Sequence, residues 1–252
     1  MESGSSKADT VREHGSPRFN TTRWTVVVSA QGKDNEAQQL ESLELLCRQY
    51  WYPLYYFARR RGHVPHDAQD LVQGFFAKLL EKSYLDSADA AKGRFRTFML
   101  TAFSNYMSDD RRKVEARKRG GNVVFIELDE LQAMDRYDLE PNDDHTPDVA
   151  FALRWAETIL ESAVARLRDE MDGSGKIARF EALKPYLLQT KESTYEQTAA
   201  ALEMSVASVK SAIYRMRQRF HIIFRHEISQ TLTSENDIDD EIRYLLGLLS
   251  SK

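Results

Sequence analysis

The chain of 252 residues has one cysteine, six prolines and eleven glycines. It also lacks any 18-residue apolar stretch, and its mean hydropathy is -0.55. With Cys47 alone, no intramolecular disulfide can form and no thiol-based metal site can be assembled from one chain. Without a long apolar run no transmembrane helix is expected. Met1 to Pro17 is polar and Ser/Gly-rich and lacks the apolar core of a signal peptide, so a cytoplasmic protein is expected. Strand-like alternation is nearly absent as well, and the apolar residues recur at helical spacing almost everywhere, which predicts an all-α fold.

What is present is a set of amphipathic stripes with start signals. Leu40, Leu43, Cys47, Tyr50, Leu54 and Phe57 form the first, and Pro53 within it should kink or divide the helix. Ala68, Leu71, Val72, Phe75, Phe76, Leu79 and Leu80 form the cleanest, opened by Pro65 in the first turn with Asp67 and Asp70 near the positive end of the dipole. Phe95, Phe98, Met99, Ala102, Phe103 and Tyr106 form a third. Thr146 and Pro147 are read as N-cap and first turn of a helix carrying Val149, Leu153, Ala156, Leu160, Ala163 and Leu167. Ser193 with Glu196 is read as a capping box for a short helix. A further helix opens at Ser205 with Val206, Val209, Ile213 and Met216 inward. The two helices, parted only by Glu203 and Met204, predict a helix-turn-helix presenting Ser208, Lys210, Ser211, Tyr214, Arg215 and Arg219 outward. Ile238, Ile242, Leu245, Leu246 and Leu249 make a final stripe.

Thirty-five basic residues against 39 acidic ones leave a net charge of -4, unevenly spread. Lys92 to Arg119 holds nine basic residues (Lys92, Arg94, Arg96, Arg111, Arg112, Lys113, Arg117, Lys118, Arg119), and Gly120 to Ala150 holds nine acidic ones. Because charges act within a Debye length of roughly 8 Å, the basic block can meet phosphates despite the negative total. The acidic block, with Gly120, Gly121, Pro141 and Pro147, has the composition of a linker; Val123 to Ile126 within it suits a strand or a groove-binding segment equally. The divisions expected are a disordered N-terminus (1–20), a first helical domain (21–119), an acidic linker (120–147), a helix-turn-helix domain (148–228) and an amphipathic extension (229–252).

The order of these parts resembles the extracytoplasmic-function sigma factors of the sigma-70 family, which direct bacterial RNA polymerase to promoters. The segment Asp67 to Gln73 (DAQDLVQ) is similar to the family's stretch that docks on the β′ clamp helices, which implies that Asp67, Asp70 and Gln73 face core polymerase. Phe95 through Asn105 to Arg112 resembles the helix that engages the -10 element, where an asparagine, here Asn105, helps hold an extruded base. Tyr195 to Arg219 resembles the helix-turn-helix that reads the -35 element, in a domain that sits on the β flap. The resemblance implies two domains of the sigma2 and sigma4 kind, with core polymerase and promoter DNA as partners. It also implies anti-sigma factors as a class, although no feature identifies one.

On this reading Tyr84, Asn105, Arg111, Arg112, Lys113 and Arg117 contact -10 DNA. An aromatic such as Tyr84 contributes about 1–3 kcal/mol per stacked base, and the arginines and lysines add counterion release at phosphates. Phe95 and Tyr106 are expected in the core. Ser208, Lys210, Ser211, Tyr214, Arg215 and Arg219 contact -35 DNA. Three positions depart from the family pattern: Gly74 replaces a usual glutamate, Glu203 the usual turn glycine, and Ala212 a common basic residue. If Glu203 is left-handed the turn is strained by about 1 kcal/mol. Ala212 would then mean one groove contact fewer. No cofactor, metal or enzymatic activity is expected. His63, His66 and Asp67 hint at a metal phosphohydrolase, but Pro65 breaks the helix that would align them. The remaining alternative is a dimeric helix-turn-helix regulator whose N-terminal domain receives a signal.

Overall fold

The computed structural model describes residues 36–79, 94–114, 136–137, 145–187, 194–232 and 234–250. Among these residues the chain is helical, with no strand. The helices are α1 (Glu36–Arg60), α2 (Pro65–Leu79), α3 (Phe95–Val114), α4 (Pro147–Gly173), α5 (Ile177–Leu187), α6 (Tyr195–Ala201), α7 (Val206–Ser229) and α8 (Ile238–Ser250), the last entered by a 3-10 turn at Glu235–Asp237. None is long and apolar enough to cross a membrane. The N-terminal segment, Tyr84, Arg117, the apolar run Val123–Ile126 and most of the acidic linker lie outside the described residues.

The start signals act where their chemistry places them. Pro65 is the first residue of α2, where its missing N–H costs nothing. Thr146 is extended, its hydroxyl accepts from the Val149 N–H, and Pro147 opens α4. Ser205 likewise accepts from the Ser208 N–H at 3.1 Å. The cap of α6 is displaced by one residue from the expected Ser193–Glu196 pair. It is Thr194 whose hydroxyl accepts from the Gln197 N–H, while the Gln197 side-chain oxygen accepts from the Thr194 N–H. The overlapping S-T-x-E-Q order contains two candidate boxes, and the one that forms opens a helix that buries Thr198 and Ala199. Pro53 lies inside α1 without dividing it.

The buried side chains form one cluster that runs through both halves of the chain. The most extensive helix packing is α1 against α4, followed by α4 against α7. At the centre Tyr50 of α1 stacks on Trp155 of α4 at 6.2 Å and meets Phe95 of α3 edge-on at 5.5 Å. Cys47 is buried in this layer, as its stripe predicts, and burial, helped by the Glu44 carboxylate, pushes its thiol up to about 12. The neutral thiol packs as a small hydrophobe. Arg154 is also buried; it reaches Glu157 at 2.8 Å and the Tyr56 hydroxyl at 3.3 Å. Residues 136–137, within the segment expected to be a linker, dock on α1, with the Arg59 guanidinium 4.1 Å from the Tyr137 ring centroid.

Phe95 is fully buried, and Tyr106 is half-buried beside Phe75 at 5.9 Å. Gly74 explains how Tyr106 sits there: a Cβ at Gly74 would lie 2.3 Å from the Tyr106 hydroxyl oxygen. The glycine therefore gives α3 close access to α2, in a place where a glutamate would push the tyrosine away.

Candidate nucleic-acid and polymerase interfaces

Three surfaces correspond to the three motifs. On α2 the apolar stripe Leu71, Val72, Phe75, Phe76 is buried, Asp67 and Asp70 are exposed and Gln73 is half-buried. A helix buried along one side presents i, i+3 carboxylates together on the other. His66 Nε2 lies 3.7 Å from Asp70, so the histidine serves an exposed surface pair. His63, His66 and Asp67 form no metal-holding cluster among the described residues.

The second surface is the exposed side of α3. Asn105 is exposed, one turn beyond Thr101, and both line an open cleft of about 340 Å³ that also includes Arg96, Ser104, Asp148 and Tyr244. The basic residues Arg111, Arg112 and Lys113 fall on the last turn of the helix backbone, and their side chains lie outside the described residues. The cleft combines hydroxyl, amide, aromatic and guanidinium groups, the set that recognises a nucleobase and its phosphate.

The third surface lies on α6 and α7, where the sequence predicts a helix-turn-helix. Between α6 and α7 the Met204 N–H donates to the Ala199 carbonyl at 2.9 Å and the Glu203 N–H to the Ala200 carbonyl at 3.3 Å. This is a Schellman termination, which needs a left-handed residue, and Glu203 supplies it at φ 53°. The strain tied to that residue is therefore present. Ser208, Lys210, Ser211, Tyr214, Arg215 and Arg219 are all exposed, with Tyr214 65% accessible. Their roles divide by what they touch. The Ser208 hydroxyl is 2.8 Å from Ser205 at the cap, and Lys210 lies over the Tyr195 ring at 5.2 Å. Arg219 donates two bonds of 2.7 Å to Glu170 of α4. That pair raises the Arg219 pKa and lowers that of Glu170, the hydrogen bond being the largest cause in both. Arg215 makes no ion pair among the described residues. Ala212 is buried: it belongs to the Val209, Ile213, Met216 face, so the missing basic residue removes no side chain from the outer face.

No local pattern in the sequence could reveal the contact that joins α3 to the C-terminus. Glu241 of α8 is buried, and it receives Arg96 Nε at 2.5 Å and Arg94 Nε at 2.9 Å. Arg96 also lies 4.8 Å from the Tyr244 ring centroid, and the Phe95 N–H donates to the Thr231 carbonyl at 3.0 Å. The only sequence signal is the presence of Arg94 and Arg96 in the basic block; the partner of Arg96 stands 145 residues away.

Residues 46–117, from within α1 to just past α3, match the family model of sigma-70 region 2. No curated protein and no solved structure matches the chain significantly. The match covers both α2, with its exposed carboxylates, and α3, with Asn105 and the basic end, and it stops before the acidic linker. Residues 46–117 are thus a sigma-70 region 2, and this match supports a sigma-70 family role in RNA polymerase binding and promoter recognition.

Proposed function

We propose that the chain is a cytoplasmic sigma factor of the extracytoplasmic-function kind that docks on core polymerase through α2, engages the -10 element with α3 and reads the -35 element with α7. The observation that carries this reading is the pairing of a region 2 match over 46–117 with a second exposed basic helix, α7, following a Schellman turn after α6. One DNA-reading helix suffices for a regulator, whereas a region 2 beside it calls for polymerase.

Asp67, Asp70 and Gln73 are the proposed contacts with the β′ clamp helices, and the helix-turn-helix domain is the proposed contact with the β flap. Asn105 is suited to hold a base that has left the stack, because its amide offers both donors and acceptors beside the hydroxyls of Thr101 and Ser104. Tyr84, Arg111, Arg112, Lys113 and Arg117 are the proposed stacking and phosphate contacts around it. Phosphate contacts position the protein, and base contacts specify the site. Arg215 and Lys210, exposed toward the start of α7, suit base-edge contact in the major groove. Arg219, exposed on the same face but held by Glu170, is the proposed phosphate contact there rather than a base reader. The acidic linker, repelled by DNA, is suited to a protein channel in the polymerase.

Run-off transcription with core polymerase and genomic fragments tests the function. Promoter-specific transcripts that depend on the chain are expected, and binding to DNA without any stable complex with core polymerase would favour the dimeric-regulator alternative.

A further inference from the structure

The convergence of Arg94 and Arg96 on one carboxylate has the geometry of an anion site. Arg94, just before α3, and Arg96, in its first turn, converge on the same Glu241 carboxylate: Arg96 donates with both Nε and Nη2, the latter at 3.3 Å, and Arg94 Nε is ion-paired at 2.9 Å. Arginine forks fit phosphate as they fit carboxylate. Arg94 is still 37% exposed, while Glu241 is fully enclosed. Tyr244, one turn further along α8, lies over Arg96 and walls the same cleft as Asn105, and Asp148 of α4 brings a second carboxylate to it. The Arg94–Arg96 end of the basic block, at the cleft that Asn105 also lines, is therefore paired with a carboxylate and partly covered by the C-terminal helix.

We propose that Arg94 and Arg96 are a DNA-phosphate site of the -10-reading face, occupied in cis by Glu241, so that α8 and DNA compete for the same two guanidiniums. This rests on the reading of α3 as the -10 helix. A length argument points the same way. Ser208 and Thr231 are joined mainly by α7, about 35 Å at 1.5 Å per residue. Thr231 touches Phe95, and Phe95 to Asn105 adds about 15 Å of α3. The two DNA-reading faces are thus held within roughly 60 Å. Elements at -35 and -10 are separated by about 25 base pairs, or roughly 85 Å at 3.4 Å per pair. With the joint of Thr231 and Glu241 on α3 closed, both elements of straight duplex cannot be read together. Opening that joint frees the arginines in the same movement.

Amide hydrogen exchange on the full chain, with and without a saturating single-stranded oligonucleotide of mixed sequence at low salt, tests the competition directly. Loss of protection across 238–250 on adding the oligonucleotide is expected; unchanged or increased protection overturns the proposal. Glu241→Gln keeps the side-chain shape and removes the charge. In anisotropy titrations it should bind the same oligonucleotide about tenfold more tightly at 100 mM KCl. Its log–log salt slope should steepen by roughly 1.4, at about 0.7 per phosphate contact for single strands. In the Glu241→Gln/Arg94→Gln double variant about half of that added slope should vanish. An added slope that survives intact, or no oligonucleotide binding by either wild type or Glu241→Gln, also overturns it. Co-elution with core polymerase separates the two layers: retained core binding with negative oligonucleotide results removes the cis-occupied site alone, and failure to bind core removes the sigma-factor reading.

Discussion

Replacing Gly74 by alanine should give opposite stability changes depending on a residue 32 positions away. The added Cβ would stand 2.3 Å from the Tyr106 hydroxyl oxygen and 3.4 Å from Cζ. Ordinary contact begins near 3.4 Å, so the hydroxyl must retreat by about an ångström while the ring stays beside Phe75 and below Lys78. Overpacking of this kind costs about 1–3 kcal/mol. Against it, alanine in a helix interior is favoured over glycine by about 0.8–1 kcal/mol. In the native background the sum is a loss of up to about 2 kcal/mol. In a Tyr106→Phe background the clashing atom is gone and the ring carbon already sits at contact distance, so Gly74→Ala should stabilise by nearly the full propensity gain. Urea unfolding of the four proteins of the cycle measures a coupling energy of about 1–3 kcal/mol, free of whatever Tyr106→Phe does by itself. Equal stabilisation by alanine in both backgrounds would show that glycine is not what lets α3 approach α2.

Glu203→Gly should relieve the left-handed strain of about 1–2 kcal/mol, less the extra unfolded-state freedom of glycine, about 0.4–1 kcal/mol. Thermal unfolding should show Tm raised by about 1–4 °C, and a lowered Tm would contradict the strain at φ 53°. For Glu170, whose pKa is lowered in the fold by Arg219 from the ordinary 4.5, the pair's contribution is present above pH 4.5 and is lost as the pH falls through the lowered folded value. Glu170→Gln should therefore flatten that part of the acid limb in a pH series of urea midpoints. A mutant with the same acid limb as wild type would leave the pair without energetic effect. Asp70→Arg should weaken core polymerase binding with melting unchanged, because Asp70 is exposed and its pairing with His66 is a solvated contact worth little; wild-type affinity in a core-binding titration would refute the docking face. Arg215→Ala should relax preference at one or two -35 positions, where a good base contact discriminates by about 1–3 kcal/mol. Arg111→Ala with Arg112→Ala should instead weaken all promoters alike and lower the salt slope by roughly 0.9 for each duplex phosphate that is no longer neutralised. Holoenzyme competition assays with single-base variants at several salt concentrations distinguish the two, and a uniform drop in affinity for Arg215→Ala would reverse the assignment.

Much of the fold was legible because helix signals act over four residues or fewer. Pro65, Thr146 with Pro147 and Ser205 mark real helix starts. The stripe through Ala68 and Leu79 is the buried side of α2. Even the strain at Glu203 follows from a short turn that demands a left-handed residue. Ala212 shows the same locality from the opposite side. Standing three residues after Val209, it shares that residue's buried face, and a comparison with the family pattern placed on it a DNA contact that helical spacing denies.

Residues distant in sequence meet only through packing, and no period or cap encodes that meeting. Gly74 departs from the family pattern for a reason visible only once Tyr106 is placed against it. Arg219 belongs by sequence to the outward set, yet Glu170 of α4 holds it with two hydrogen bonds. The C-terminal stripe predicted an amphipathic helix, of which Ile238, Ile242 and Leu245 are buried while Leu249 is half-buried and Leu246, expected on the same face, is 48% exposed. That the first turn of this helix would deliver Glu241 to Arg94 and Arg96 depends on α8 packing on α4 and α7, which fixes its position beside α3. Local hydrogen bonding and hydrophobic period thus determined which residues form helices and which sides they bury. The pairing of charges across 145 residues was decided by the tertiary packing, because a carboxylate enclosed away from water must find its cations wherever the core has placed them.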